Sequence, residues 1–147
     1  NPENNVLGAS YQLRQALLAI GSGQFFGRGF GKSVLKFNFL PEPTGDSIFA
    51  VAGEEFGFLG SSFIVLLFLL FALRGFRIAT RAGSPFEQLV VTGFVTLILS
   101  QSFINIAAML GLIPLTGVPL IFISQGGTAL LFALIEVGVI LRLSRRA

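Results

Sequence analysis

Neither cysteine nor histidine occurs anywhere in the 147 residues, and only 12% of them are charged. The first two absences exclude disulfides, Cys/His zinc sites, thiol nucleophiles, imidazole bases and any Ser-His-Asp triad. Chemistry therefore falls to carboxylates, hydroxyls, amides and cations. A soluble domain carries about 25% charge; here 53% of residues are hydrophobic and the mean hydropathy is +0.83, which places the chain in lipid. The net charge of +3 does not point to nucleic acid, because the arginines gather where apolar runs end, as in proteins that orient themselves in a bilayer. The chain opens Asn1-Pro2-Glu3-Asn4-Asn5 without an initiator methionine, a charged n-region or an apolar h-region, and is read as a fragment.

Three apolar stretches are candidates to span a bilayer, which takes about 20 residues to cross roughly 30 Å of hydrocarbon. They are expected at residues 56–73, 88–112 and 128–141. Gly111, Pro114, Gly117, Pro119, Gly126 and Gly127 interrupt the charge-free stretch after the second run, so two helices joined by a turn are expected rather than one long helix. Arg74, Arg77 and Arg81 follow the first run, Arg142, Arg145 and Arg146 follow the third, and residues 113–127 hold no Lys or Arg. The positive-inside rule then makes 74–87 a cytoplasmic loop and 142–147 a cytoplasmic tail. Residues 1–55 and the 113–127 loop face outward. The longer outer segment agrees, since Arg14, Arg28, Lys32 and Lys36 are outnumbered there by Glu3, Glu42, Asp46, Glu54 and Glu55.

In that segment Leu13, Ala16, Leu17 and Ile20 recur at helical spacing, which predicts a short amphipathic helix along the membrane surface. A glycine-rich stretch with Phe25, Phe26 and Phe30 follows at 21–31, expected as a shaped loop hugging the membrane. Its end, Gly31-Lys32-Ser33, is not a P-loop: the glycine needed five positions earlier is Phe26. The G-x-G-x-x-G spacing of a dinucleotide site is missing too. Asp46 precedes an apolar helix after a proline-stiffened turn, where it fits an N-cap or a carboxylate base held at the membrane surface. Lys32 and Lys36, with Arg28 near, fit either lipid headgroups or a pyrophosphate leaving group. Glu54 and Glu55 suit a helix N-terminus. Gln101, Ser102 and Asn105 form a polar stripe expected to bond neighbouring helices, and Glu136, the one charge in the third run, is expected to face protein or water.

These residues, taken in order, resemble a known family. The carriers are Tyr11-Gln12 through Ala19-Ile20-Gly21-Ser22-Gly23, then Gly27-x-Gly29-x-Gly31-x-Ser33 with Lys36, Leu40-Pro41-Glu42, Asp46, Ile48-Phe49-Ala50 and Gly53-Glu54-Glu55-x-Gly57. The second half adds Gln101-x-x-x-Asn105-Ile106, Gly111-Leu112-Ile113-Pro114, Thr116-Gly117-x-Pro119-Leu120 and Ile123-Ser124-x-Gly126-Gly127. The whole chain is similar to the shape, elongation, division and sporulation family. That resemblance implies an all-α integral membrane protein, of which this chain is the last three transmembrane helices of a ten-helix bundle, preceded by a large extracellular loop with short amphipathic helices.

The resemblance also implies a reaction: lipid II units are joined outside the bacterial cytoplasmic membrane, an acceptor hydroxyl attacking a donor's anomeric carbon while undecaprenyl pyrophosphate leaves. Asp46 stands where the family's proposed base stands. Substrate binding is implied for Lys32, Lys36, Glu42, Ser124, Gly126 and Gly127, and a divalent cation, Mg2+ or Mn2+, is a possible helper at the pyrophosphate. The implied partners are a class B penicillin-binding protein transpeptidase and other division or elongation proteins. The family's His-Thr before the acid reads Thr44-Gly45 here, Ser47 replaces a common Phe, and Ser-Tyr-Gly-Gly-Ser reads Ser124-Gln125-Gly126-Gly127-Thr128. The His and Tyr thus have no counterparts, while the Pro-Glu-Pro-x-Gly-Asp form favours the division branch. Two other functions remain open on the residues: a lipid II transporter using Glu136 and the Gln101/Asn105 stripe, and a non-catalytic membrane scaffold.

Overall fold

The computed structural model describes residues 2–29, 48–114, 118–123 and 126–146. Regular structure among them is helical throughout, as α1 (Pro2–Ser22), α2 (Ile48–Arg81), α3 (Pro85–Met109) and α4 (Gly127–Ser144). The last three are long and apolar enough to cross a membrane. At 1.5 Å per residue the part of α2 beyond a break at Gly57, α3 and α4 measure about 36, 37 and 27 Å, against a hydrocarbon thickness near 30 Å. Their outward faces carry Phe58, Leu59, Phe63, Leu70, Phe132 and Ile135, each at least half exposed or close to it. A helix apolar on its outer as well as its inner face belongs in lipid. The fold is thus an all-α membrane architecture.

Local sequence sets the helix ends. Ser84-Pro85-Phe86-Glu87 opens α3: the Ser84 hydroxyl accepts from the Glu87 N–H at 3.2 Å and Pro85 fills the first position, where no N–H is needed. Its other end closes as a Schellman turn, Leu112 N–H donating to Ala107 O and Gly111 N–H to Ala108 O. The second helix runs past the apolar limit at Leu73 through Arg74, Arg77 and Arg81. Arginine is a good helix former, so the composition marks where hydrocarbon ends rather than where the helix does.

Three apolar clusters fasten the helices. Ala16 and Ala19 of α1 meet Phe49, Phe68, Ile106 and Met109 at one end of the bundle. Ala79, Val91, Val95 and Ile140 close the other. In α1 the packed face is narrower than the leucine spacing suggests. Ala16, Ala19 and Ile20 face the core, whereas Leu17 is 43% exposed, because small side chains let α1 lie close against α2.

The third cluster sets the path of the connection between α3 and α4. Ile121 packs on Ile98 and Ala133, side chains well inside α3 and α4 rather than at their ends, and Leu120 is fully buried. Residues 118–123 therefore dip into the bundle instead of lying wholly outside it. Irregular backbone at that depth must find partners within the protein. Asn105 supplies one, its amide Nδ2 donating to Val118 O at 2.7 Å, while the Ser102 hydroxyl donates to Ile98 O of its own helix at 2.8 Å. The polar stripe thus holds structure together. Asn105→Leu is expected to cost about 1 kcal/mol, read as earlier loss of monodisperse full-length protein on heating in detergent, with Ser102→Ala close to neutral.

Candidate functional site

The most elaborate local geometry is a splice between residues 24–29 and the first part of α2. Gly57 has φ 70° and ψ −162°, which breaks the helix in its third turn. A continuous helix would direct the Phe58 and Leu59 N–H groups to Glu54 O and Glu55 O. Here Phe58 N–H donates to Gln24 O at 2.7 Å and Leu59 N–H to Phe25 O at 3.3 Å. The two carbonyls at the break are taken up in turn, Arg28 N–H donating to Glu54 O at 2.9 Å and Gly29 N–H to Glu55 O at 3.0 Å. These two N–H groups and two carbonyls are therefore all satisfied across the splice. Phe25 and Phe58 stack edge-on above it with ring centroids 6.0 Å apart.

The approach is close enough that a Cβ on Gly57 would overlap the Gly27 backbone, and one on Gly27 the backbone of Glu55 and Phe56. Behind the splice, Glu54 is fully buried and Glu55 is 5% exposed. Burial of a carboxylate is costly unless the charge is balanced. The Arg28 guanidinium, itself 46% exposed, lies 3.8 Å from Glu54 Oε1. Arg28 is thus engaged as a structural cation that ties the glycine-rich stretch to α2. A double-mutant cycle with Arg28→Met and Glu54→Gln is expected to give a coupling of about 1 kcal/mol in heat-unfolding of the full-length protein, and an additive pair would show that the contact carries nothing.

The splice fixes both ends of the stretch that carries the sequence candidates: Gly29 is bonded to Glu55, and Ile48 opens the same helix. Asp46, Lys32, Lys36 and Glu42 lie between those ends, outside the described residues, as does Ser124. Gly126 and Gly127 form the N-terminus of α4, where Gly126 O accepts from Leu130 N–H at 2.8 Å and no side chain among the described residues caps the helix. An uncapped N-terminus carries partial positive charge toward an anion. Glu136 is partly buried on α4. No group of three acidic side chains that could hold a metal ion occurs among the described residues.

Sequence reasoning assigned Glu54 and Glu55 to the helix dipole and missed the splice. The available signal was the pair of acids one residue short of Gly57 in an apolar run, which calls for a basic partner; Arg28 was the candidate flanked by glycines.

Comparison with known proteins gives the context for this geometry. All of residues 1–147 match the family model of FtsW, RodA and SpoVE, described as cell cycle protein. Stage V sporulation protein E of Bacillus subtilis is 46% identical over 145 residues, 99% of this chain and 40% of that protein. Two proteins named probable peptidoglycan glycosyltransferase FtsW are similar to it: that of Enterococcus hirae, 42% identical over 146 residues, covering 99% of this chain and 37% of the relative, and that of Mycobacterium tuberculosis, 43% identical over 145 residues, covering 99% and 28%. The chain therefore spans two fifths or less of the length of these relatives. With three apolar helices of spanning length and a match from end to end, the chain belongs to the FtsW, RodA and SpoVE family of multi-pass membrane proteins.

Proposed function

We propose that the full-length protein is a peptidoglycan glycosyltransferase that polymerises lipid II into glycan strands on the outer face of the bacterial cytoplasmic membrane. The carrying observation is the family match over residues 1–147, together with relatives named for that activity. In this reading Asp46 is the general base. It removes the proton of the acceptor sugar hydroxyl as the oxygen bonds to the donor's anomeric carbon, and the bond from that carbon to undecaprenyl pyrophosphate breaks. Lys32 and Lys36 balance the departing pyrophosphate, and Glu42 and Ser124 contact the substrate. The uncapped end of α4 at Gly126 and Gly127 adds a dipole suited to phosphate. The splice supports this assignment by bonding Gly29, one flank of the segment that bears the base, to the helix whose first residue, Ile48, is the other flank.

A divalent cation, Mg2+ or Mn2+, would add positive charge at the departing pyrophosphate. Residues 1–55 are assigned to the outer face by the distribution of arginine. A class B penicillin-binding protein would cross-link the strands, and the Pro-Glu-Pro-x-Gly-Asp form points to the division machinery. A transporter would need a polar path along Glu136, Gln101 and Asn105, and of these Asn105 already donates to Val118 O. The discriminating experiment supplies labelled lipid II to the purified full-length protein with its transpeptidase partner. Long glycan polymer in detergent, where no membrane exists to cross, supports the polymerase; vesicles that show lipid II translocation without polymer would overturn it.

A further inference from the structure

The end of the bundle opposite the splice carries a groove of about 480 Å³ between α2 and α4 that the polymerase reading leaves unused. Its rim is formed by Arg74, Arg77 and Arg81, and its apolar wall includes Phe71, Val137 and Leu141. The arginines stand at i, i+3 and i+7, hence on one face of α2. All three are exposed, and among the described residues no carboxylate pairs with any of them. They begin directly after Leu73, where the apolar run ends, and Arg81 lies about 10 Å farther along the axis. That span covers the headgroup layer of one leaflet, about 5–8 Å deep, and reaches slightly beyond it.

We infer that this groove is a binding site for an anionic phospholipid of the surrounding bilayer. The guanidinium groups would bond the headgroup phosphate, in the forked geometry arginine favours, and an acyl chain would run down the Phe71, Val137 and Leu141 wall. Two features select a lipid over a soluble anion. The cationic rim is continuous with an apolar wall, and the arginines rise from the edge of the hydrocarbon rather than from a domain standing clear of it. A second protein helix would fill the apolar wall but would leave three desolvated cations to balance. The inference is independent of the proposed polymerase activity and of which membrane face this end occupies.

The test uses the full-length protein in phosphatidylcholine nanodiscs doped with phosphatidylglycerol, with bound lipid counted by native mass spectrometry after extraction. Wild type is expected to retain phosphatidylglycerol over phosphatidylcholine. Each of Arg74→Gln, Arg77→Gln and Arg81→Gln should weaken retention about fivefold, and the triple variant about a hundredfold. Arg145→Gln/Arg146→Gln, which removes charge from the same end outside the groove, should change it by less than about threefold. Thermal unfolding in pure phosphatidylcholine separates lost binding from lost folding, and the single variants carry the test if the triple one does not fold. Equal loss in the tail variant would reduce the effect to bulk surface charge and overturn the site. So would absence of phosphatidylglycerol enrichment in wild type, or its displacement by inorganic phosphate, which would mark a soluble-phosphate site instead.

Discussion

Asp46→Asn is expected to lower glycan polymerisation by the full-length protein at least about a hundredfold while leaving its expression, folding and partner binding unchanged. Asparagine keeps the size of the side chain and caps a helix about as well as aspartate does, so this substitution removes the base and spares any capping role. Asp46→Ala removes both. If Asp46 serves α2 as a cap, Ala should cost about 1 kcal/mol of stability and Asn almost none, with polymer still made by the Asn variant. If Asp46 is the base, Asn and Ala should be equally inactive whatever their stability. Polymer yield measured beside thermal stability for the three proteins separates the two roles, and undiminished polymer from the Asn variant would remove Asp46 from the mechanism. Raising the pH should not rescue Asn, since an amide has no proton-accepting form near neutrality, whereas Asp46→Glu should recover part of the activity if the reach of the carboxylate allows.

The helices were legible because lipid imposes a simple rule: an unbroken apolar run of the right length must satisfy its backbone internally, and it does so as a helix. Phe56 to Leu73 and Leu89 to Leu112 announce themselves by that rule alone. What escaped depends on partners distant in the chain. Nothing local to Val118–Ile121 says that Ile121 will sit against Ile98 and Ala133, or that Asn105 will satisfy Val118 O. The Asn105 stripe was read as inter-element glue, and its partner proved to be a loop carbonyl rather than another helix. The candidate site divides in the same way. Asp46, Lys32 and Lys36 stood out by residue type and local pattern and Glu42 and Ser124 by motif resemblance, signals of chemistry rather than position, and all five lie outside the described residues. The splice was opposite in character: Gly27, Gly29 and Gly57 stand within the quoted motifs, but a motif does not say that residues 24–29 lie beside Gly57.

That dependence makes Gly57 the position where the smallest substitution should have the largest structural effect. Its φ of 70° with ψ of −162° lies in a region reserved in practice for glycine, so a Cβ costs about 1–3 kcal/mol in backbone strain alone. The same Cβ would overlap the Gly27 nitrogen, and the neighbouring contacts are backbone atoms of Gln24 and Phe25 that cannot rotate away. Relief requires parting the two segments, which breaks the four cross-bonds at Phe58, Leu59, Arg28 and Gly29 and leaves buried Glu54 farther from Arg28. Gly57→Ala is therefore expected to destabilise the full-length protein by at least about 3 kcal/mol. Gly27→Ala should behave alike, whereas Gly21→Ala, with nothing within 4 Å of the added carbon, should be neutral or slightly stabilising. The measurement is the fraction of monodisperse protein surviving a temperature series in detergent. If Gly57→Ala survived as wild type does, α2 would have to run straight through residue 57, and Glu55 and Gly29 would have no reason to meet. Where the variant can be kept folded at low temperature, polymerisation should still fall, because the splice anchors both flanks of the segment carrying Asp46. A stable, fully active Gly57→Ala protein would detach the splice from function altogether.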